Sequence, residues 1–450
     1  MGAGRFAPDA PVTRQQAALL LDRYFESRGI QLAEVSAGAP FADEDRIAPY
    51  AAGAVHRLQQ AGILTGQAAG AFDPQAATTR GQAAALLQKA WDAVTGYRSE
   101  MQSITAYDGY KLEGKLNIPN RRTVDKLVIF VNGSGPNTYD NRRSSGTLEF
   151  NYFDLFAQQC AREGAAFFSS STRGVIPGGT PPLYAEIDDA GYQTYTPQNV
   201  VQDTESIIEA LQKDARLKDA KIYLLGWSEG TMIAPKVAQR GNVQVDGLLL
   251  AGYVDGTMEE TLEWQQTGGS SMVVYCQYFD SDGDGAVSQA EYEADRYQVK
   301  AALGLQDVPF SSLDLDGNGK LERQDFAAMQ APFKAQLFQA IENRDDEWLA
   351  ANYGVRLTSN WFWSHRTFTP NRDMLTALDL PIHIFQGEAD ANVSVQQSRD
   401  AKAAFDAAGK GNLALHTYGG ADHDLNYSYY LVTGSLPQPF IDLFHTLRTL

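Results

Sequence analysis

The sequence predicts an α/β protein: a doubly wound, mostly parallel sheet interrupted by a helical insertion and preceded by an all-α repeat region. Three observations predict it. From residue 101 short apolar runs alternate with helical stretches, the texture of a sheet whose strands are joined by helices. Two matching Pro- and Thr-Arg-bearing segments stand 66 residues apart near the start. Two acidic glycine-bearing loops, beginning at Asp280 and Asp314, break the alternation after residue 256.

The repeat comes first. Gly4-x-Phe6-x-Pro8-x-Ala10 aligns with Gly70-x-Phe72-x-Pro74-x-Ala76, and Thr13-Arg14-x-Gln16-Ala17-Ala18-x-Leu20-Leu21 with Thr79-Arg80-x-Gln82-Ala83-Ala84-x-Leu86-Leu87. In each copy a Pro-containing turn precedes a Thr able to cap a helix, and the Ala/Leu spacing suits a helix packing one face. Between the copies, Pro40-Phe41-Ala42-Asp43 leads into a helix over 50–60 with Ala54, Val55 and Leu58 as its stripe, ending at Ala61-Gly62-Ile63. This pattern resembles surface-layer homology (SLH) repeats, about one and a half of them, in a domain over 1–95. The resemblance implies an exported bacterial protein held on anionic cell-wall polysaccharide, with Arg14 and Arg80 near the glycan. The first residues, Met1-Gly2-Ala3-Gly4-Arg5, lack the apolar core of an export signal, and the incomplete first repeat leads us to expect an upstream portion that carries one.

The sheet follows, as a core over 101–256 and 376–450 around an insertion over 257–375. A hairpin is expected around Asp108-Gly109, and strands at 126–131, 165–169, 221–225, 246–252, 382–385 and 413–418, with helices near 153–163 and 200–213. The strand ending at Leu225 runs into Gly226-Trp227-Ser228-Glu229-Gly230 and then a helix. Strand, Gly-x-Ser-x-Gly and helix in that order make a nucleophile elbow, whose glycines permit a turn tight enough to push the serine hydroxyl out at the carboxyl end of the sheet.

A serine hydroxyl needs a base, and an imidazole base needs an acid to fix its tautomer. Of six histidines, His383 and His416 fall in expected strands, His56 and His445 on helices, and His365 in an aromatic stretch of the insertion. His423, in a loop after the last strand, is the candidate base. Asp390, just after the strand at 382–385, is the candidate acid, with Asp422 and Glu388 as rivals. The order Ser, Asp, His is that of α/β-hydrolases. Acyl transfer further needs backbone donors for an oxyanion; Asn132-Gly133-Ser134-Gly135-Pro136, opening from the strand at 126–131, and the residue after the nucleophile assign them to the amides of Ser134 and Glu229.

Together with Thr172-Arg173-Gly174, Gly387-x-x-Asp390-x-x-Val393 and Asp422-His423, these motifs resemble bacterial carboxylesterases of the dienelactone-hydrolase-like group. The likeness implies ester hydrolysis through an acyl-enzyme; Thr231, where relatives often have another small residue or glycine, is a departure.

The insertion holds Asp280-x-Asp282-x-Asp284-Gly285-Ala286-Val287-Ser288-x-x-Glu291, which matches the twelve-residue EF-hand calcium loop. A second loop, Asp314-x-Asp316-x-Asn318-Gly319-Lys320-Leu321-Glu322-x-x-Asp325, ends in a shorter carboxylate. Val287 and Leu321 occupy the eighth positions, which pair as a short ladder when two such loops associate. Up to two structural Ca2+ ions and no organic cofactor are expected, and the loop pair with Trp361-Phe362-Trp363 is expected to form a cap above the nucleophile.

Composition narrows the partners. A net charge of -18 disfavours nucleic acid, which needs a basic face. No apolar run approaches the roughly 20 residues of a membrane span. Two cysteines exclude a disulfide framework and read as free thiols. The leading expectation is a cell-surface, calcium-binding serine carboxylesterase acting on short acyl esters, carried by a small molecule or by polysaccharide. Two alternatives stay open: a serine peptidase or amidase with the same triad, and a non-catalytic wall-bound calcium protein.

Overall fold

The structure is a computed structural model that describes residues 10–28, 30, 32, 34–35, 39–67, 70–120 and 124–450. The expected Gly4, Phe6 and Pro8 turn lies outside the described residues.

Helices α1 (Arg14–Ser27), α2 (Pro49–Gln60) and α3 (Arg80–Thr95) form the N-terminal region. Their one-sided apolar spacing builds a core of its own from Ala18, Leu21, Phe25, Val55, Leu58 and Phe72. At α3, Gln82 N donates to Thr79 Oγ1 at 3.2 Å while Thr79 N donates to Gln82 Oε1 at 3.0 Å, the reciprocal cap that Thr-x-x-Gln permits. The Asp43 carboxylate accepts from the amides of Phe72 and Asp73 at 2.7 and 2.8 Å, tying the Phe-x-Asp segment to the Phe-x-Pro turn. Arg14 donates Nε to the Phe72 carbonyl at 2.7 Å and lies over the Phe72 ring, whereas Arg80 is exposed. Arg14 is thus engaged in joining the two copies.

The strands of the main sheet are β1 (Tyr97–Thr105), β2 (Lys111–Pro119), β3 (Lys126–Val131), β6 (Ala165–Ser170), β9 (Lys221–Trp227), β10 (Gly247–Ala251), β13 (Ile382–Gly387) and β14 (Leu413–Tyr418). Between them lie the small hairpins β4 (Arg142–Ser145) with β5 (Leu148–Asn151), β7 (Val175–Pro177) with β8 (Ala185–Ile187), and β11 (Val287–Ser288) with β12 (Lys320–Leu321). The sheet order is β1-β2-β6-β3-β9-β10-β13-β14. β1 and β2 are antiparallel, as are β2 and β6; from β6 to β14 every pairing is parallel.

The near-continuous apolar strands follow from burial on both faces. Because side chains alternate, Leu224, Leu250 and Ile384 enter one core and Tyr223, Leu225, Leu249 and Phe385 the other. Helices α4 (Tyr152–Arg162) and α16 (Gln438–Thr449) supply the second core; α6 (Pro197–Leu211), α7 (Gly230–Arg240) and α14 (Val395–Ala407) supply the first. Two short helices, α5 (Asp189–Tyr192) and α15 (Tyr427–Thr433), complete this part. Cys160, on α4, is buried and Cys276 half-buried, and both are free thiols.

The insertion leaves β10 and returns to β13. It contains α8 (Met258–Gln265), α9 (Gly269–Tyr278), α10 (Gln289–Ala294), α11 (Arg323–Asn343), α12 (Asp346–Asn352) and α13 (Ser359–His365). It splits into two parts. Phe279, Val287, Tyr292, Phe310, Leu321 and Phe326 form a separate small core around the two acidic loops. Leu337, Ala340, Ile341, Trp361 and Phe362 instead join the main core, so α11 spans both. Among the described residues no helix is long and apolar enough to cross a membrane.

Candidate active site

β9 ends in the tight turn that its glycines predict. Ser228 has φ +54°, a left-handed conformation that costs a non-glycine residue about 1–3 kcal/mol and persists only where its surroundings impose it. A Cβ on Gly230 would lie 2.0 Å from the Val131 carbonyl oxygen, and one on Gly226 would lie 2.4 Å from the Gly230 carbonyl oxygen. Both positions therefore require glycine. Thr231, the departure noted in the sequence, braces this turn. Its hydroxyl donates to the Ser228 carbonyl at 2.6 Å and accepts from the Val254 amide at 3.0 Å, pinning the elbow to the segment after β10.

Asp390 and His423 come together from the ends of β13 and β14, with His423 Nδ1 2.8 Å from Asp390 Oδ2. Asp390 is 1 % exposed, and a buried carboxylate demands partners. Its Oδ2 also accepts from Gln386 Nε2 at 2.7 Å, and its Oδ1 from the amides of Asn392 and Val393 at 2.8 and 2.9 Å. Burial works to raise Asp390, but the facing imidazole and these two amides hold it below the usual carboxylate range. Burial likewise disfavours a charged His423; the charge of Asp390 and the bond to it override this, with lesser help from Asp424 and Asp422, and bring His423 up to about 9. The rival acids are occupied elsewhere: Asp422 accepts from the Asn426 amide at 2.7 Å, and Glu388 pairs with Arg399 at 3.0 Å.

Ser228 and His423 line one cavity of about 330 Å³. Ser134 lines it too, on a loop braced by Asn137, whose Nδ2 donates to the carbonyls of Gly133 and Gly135 at 3.0 and 3.2 Å, and by Thr172, whose hydroxyl donates to the Gly135 carbonyl at 3.1 Å. Among the described residues the amides of Ser134 and Glu229 donate no hydrogen bond. Arg173, in the Thr-Arg-Gly motif, is 2 % exposed and bridges Asp203 at 2.6 Å and Asp108 at 2.7 Å; it fastens the turn after β6 to α6 and the first hairpin.

The roof of the cavity comes from the insertion: Met258, Thr261 and Leu262 of α8, Tyr353 and Val355 after α12, and Trp361 of α13. No residue of the two acidic loops lines it. Of the expected cap, the stretch bearing Trp361 lines the cavity with the helices before and after the acidic loops, while the loops themselves surround their own small core. Trp361 is both core, at 1 % exposed, and cavity wall.

In the first acidic loop, oxygens of Asp280, Asp282 and Asp284 lie within 4.8 Å of one another; in the second, those of Asp314, Asp316 and Asp325 do. Val287 pairs with Leu321 in a two-residue antiparallel ladder. Glu291 accepts from Ser281 N and Ser288 N at 2.8 and 2.9 Å, and Asp325 accepts from Leu315 N and Glu322 N at 2.9 Å each. The shorter Asp325 thus takes the same place in its loop as Glu291. Lys320 Nζ lies 2.5 Å from Asp284 Oδ2, so one loop partly neutralises the other.

Sequence reasoning did not foresee what Gln386, Asn137 and Thr172 hold in place, nor what the side chain of Glu229 does. That carboxylate, 1 % exposed, is contacted by Tyr195 Oη, by Trp361 Nε1 at 2.9 Å and by His365 Nε2 at 2.8 Å.

The family model of the S-layer homology domain matches residues 1–18 and 40–84. Esterase EstD of Thermotoga maritima is 26% identical over 158 residues, 34% of this chain and 33% of that protein; the chain spans about a third of the length of this curated relative. A lipase in its open form superposes with a TM-score of 0.45 at 16% identity, covering 78% of this chain and 97% of that one. A thermostable carboxyl esterase from Bacillus coagulans, in complex with glycerol, gives 0.44 at 13% identity, covering 78% and 97%. An esterase from Exiguobacterium antarcticum gives 0.36 at 15%, covering 74% and 97%.

Proposed function

We propose that this chain is a serine carboxylesterase that hydrolyses short acyl esters through an acyl-enzyme. The observation that carries the reading is the Asp390–His423 hydrogen bond beside a cavity shared with Ser228 on its positive-φ elbow. In the neutral ring Asp390 holds the hydrogen on Nδ1, leaving Nε2 free to accept the Ser228 proton. Ser228 Oγ then attacks the ester carbonyl, and the oxygen that becomes negative takes hydrogen bonds from the amides of Ser134 and Glu229. As the tetrahedral adduct collapses, the C–O bond to the alcohol breaks and the imidazolium returns its proton to the leaving oxygen. Water, deprotonated by His423, repeats the attack on the acyl-Ser228 ester and releases the carboxylic acid.

The acidic loops fit calcium: each offers three carboxylates whose oxygens converge, and the ladder between them has the form of paired EF-hands. Asp280, Asp282, Asp284, Ser288 and Glu291, with the Ala286 carbonyl, would hold one ion. Asp314, Asp316, Asn318, Glu322 and Asp325, with the Lys320 carbonyl, would hold the second. Bound calcium supplies positive charge that relieves repulsion among these carboxylates. The SLH match supports cell-surface association through cell-wall polysaccharide, which would place an ester-bearing small molecule or an acylated polysaccharide within reach.

A panel of p-nitrophenyl esters run beside aminoacyl anilides tests the reaction, together with a fluorophosphonate probe. Ester turnover and labelling, both abolished in Ser228→Ala, are expected. Anilide cleavage without ester turnover would favour a peptidase, and absent labelling would leave a non-catalytic calcium protein.

A further inference from the structure

A carboxylate sealed away from water costs several kcal/mol unless its oxygens are satisfied, and Glu229 is sealed directly beside the nucleophile. Its three partners come from two distant stretches of chain. Tyr195 precedes α6; Trp361 and His365 stand one turn apart on α13, on the insertion. All four side chains are buried, at 1–3 % exposed. A carboxylate acceptor requires His365 Nε2 to carry the hydrogen. Nδ1 of that ring is buried with no partner among the described residues.

The helix that brings two of these donors is itself fastened. Trp363 Nε1 donates to the Ile341 carbonyl at 2.9 Å, and Arg366 pairs with Glu342, both on α11. Glu229 therefore links the strained turn to the insertion, at the residue whose amide the esterase reading assigns to the oxyanion.

We propose that Glu229 is a positioning residue through which the insertion acts on the chemistry: Tyr195, Trp361 and His365 hold its carboxylate and so fix its backbone amide as an oxyanion donor. The proposal rests on the esterase reading above. An oxyanion donor works within a few tenths of an ångström, at 2.7–3.1 Å from the charge it meets. A residue free to rotate about φ and ψ would lose that placement without altering how substrate enters. Neither Tyr195 nor His365 lines the cavity, so changing them leaves the substrate's own contacts in place.

The test uses the full chain and three variants. Tyr195→Phe removes one hydroxyl at constant shape, His365→Leu removes one ring donor, and Glu229→Gln keeps the volume and one acceptor. Measured quantities are kcat and KM for p-nitrophenyl acetate, Ki for a trifluoromethyl ketone that mimics the tetrahedral adduct, and the melting temperature. Both donor deletions are expected to lower kcat by about tenfold, short of the ~10²–10³ that follows outright loss of an oxyanion donor. KM is expected to stay within about twofold, with Ki weakening in step with kcat/KM, the signature of contacts made in the transition state. Glu229→Gln is expected to fall between the parent and these variants. A lowered melting temperature with kcat and Ki unchanged overturns the proposal and leaves a structural cluster. If His365→Leu fails to fold, Tyr195→Phe decides alone. A parent chain that neither turns over esters nor labels at Ser228 removes the esterase reading and this proposal together; turnover in the parent with indifferent variants removes only the proposal.

Discussion

His423 Nδ1 sits 2.8 Å from Asp390 Oδ2, and the same carboxylate is held by two backbone amides and Gln386. Such a carboxylate has one orientation to offer. Asp390→Asn is expected to keep the fold and lower kcat by roughly 10³–10⁴, because an amide can stabilise the wrong imidazole tautomer. Steady-state kinetics with p-nitrophenyl acetate check it; a loss under tenfold would remove Asp390 from its role.

The pH profile follows from the same pair. His423 acts only when neutral, so activity falls as pH drops below its pKa. That pKa lies above the ordinary histidine value, at about 9, so the acid limb of kcat/KM is expected above about 6.5 and activity should still be rising through pH 7–8. Asp424→Asn removes one of the charges that raise His423 and is expected to move the limb down by a few tenths of a unit. A limb below pH 6 in the parent would contradict this.

Gln386 is fully buried and joins three elements: it donates to Asp390 and accepts from the Tyr253 amide at 2.8 Å and from Ser398 Oγ at 3.2 Å. Gln386→Leu strands those groups, each at a cost of about 1–3 kcal/mol. A lower denaturant midpoint, accompanied by reduced kcat, is the expected result; unchanged stability would show that the network has repacked.

Chelation should act mainly on stability. Ligand present at 100 times its Kd stabilises a fold by about 2.7 kcal/mol. EGTA is expected to lower the melting temperature and added calcium to restore it, with Asp280→Ala and Asp314→Ala each removing part of the effect. A melting curve indifferent to EGTA and to calcium would refute the calcium assignment.

Gly230→Ala puts a Cβ 2.0 Å from the Val131 carbonyl, where backbone rather than a flexible side chain must yield. Destabilisation above ~4 kcal/mol is expected, seen as failure to accumulate soluble protein. A stable, active Gly230→Ala would mean that the elbow is looser than its geometry implies.

What the sequence made legible was local. The elbow, Asp390, His423 and both acidic loops are written in runs of five to twelve residues, where a turn or a loop dictates residue type at fixed spacing. Strand positions were equally readable, because burial on both faces demands unbroken apolar runs such as Leu127–Val131. The roles of Gln386 and Glu229 were hidden because their partners lie far along the chain: Tyr253 is 133 residues from Gln386, and His365 is 136 from Glu229. His365 looked like one more aromatic-region histidine until α13 brought it against the elbow. The small hairpins at 142–151 and 175–187 escaped notice because short, half-exposed strands have no apolar period to betray them.

β10 and β13 are parallel neighbours, paired from Leu248–Ile382 to Ala251–Phe385, so everything between them amounts to one crossover grown large. Closing a longer loop costs only about 0.6 kcal/mol per doubling of its length, and sheet registry asks no more of that segment than that it come back. Natural variation can therefore remodel the roof over the cavity while the strand ends carrying acid and base stay as they are. Which esters are admitted and how they are cleaved become separately heritable traits, meeting at the few side chains that cross from one to the other.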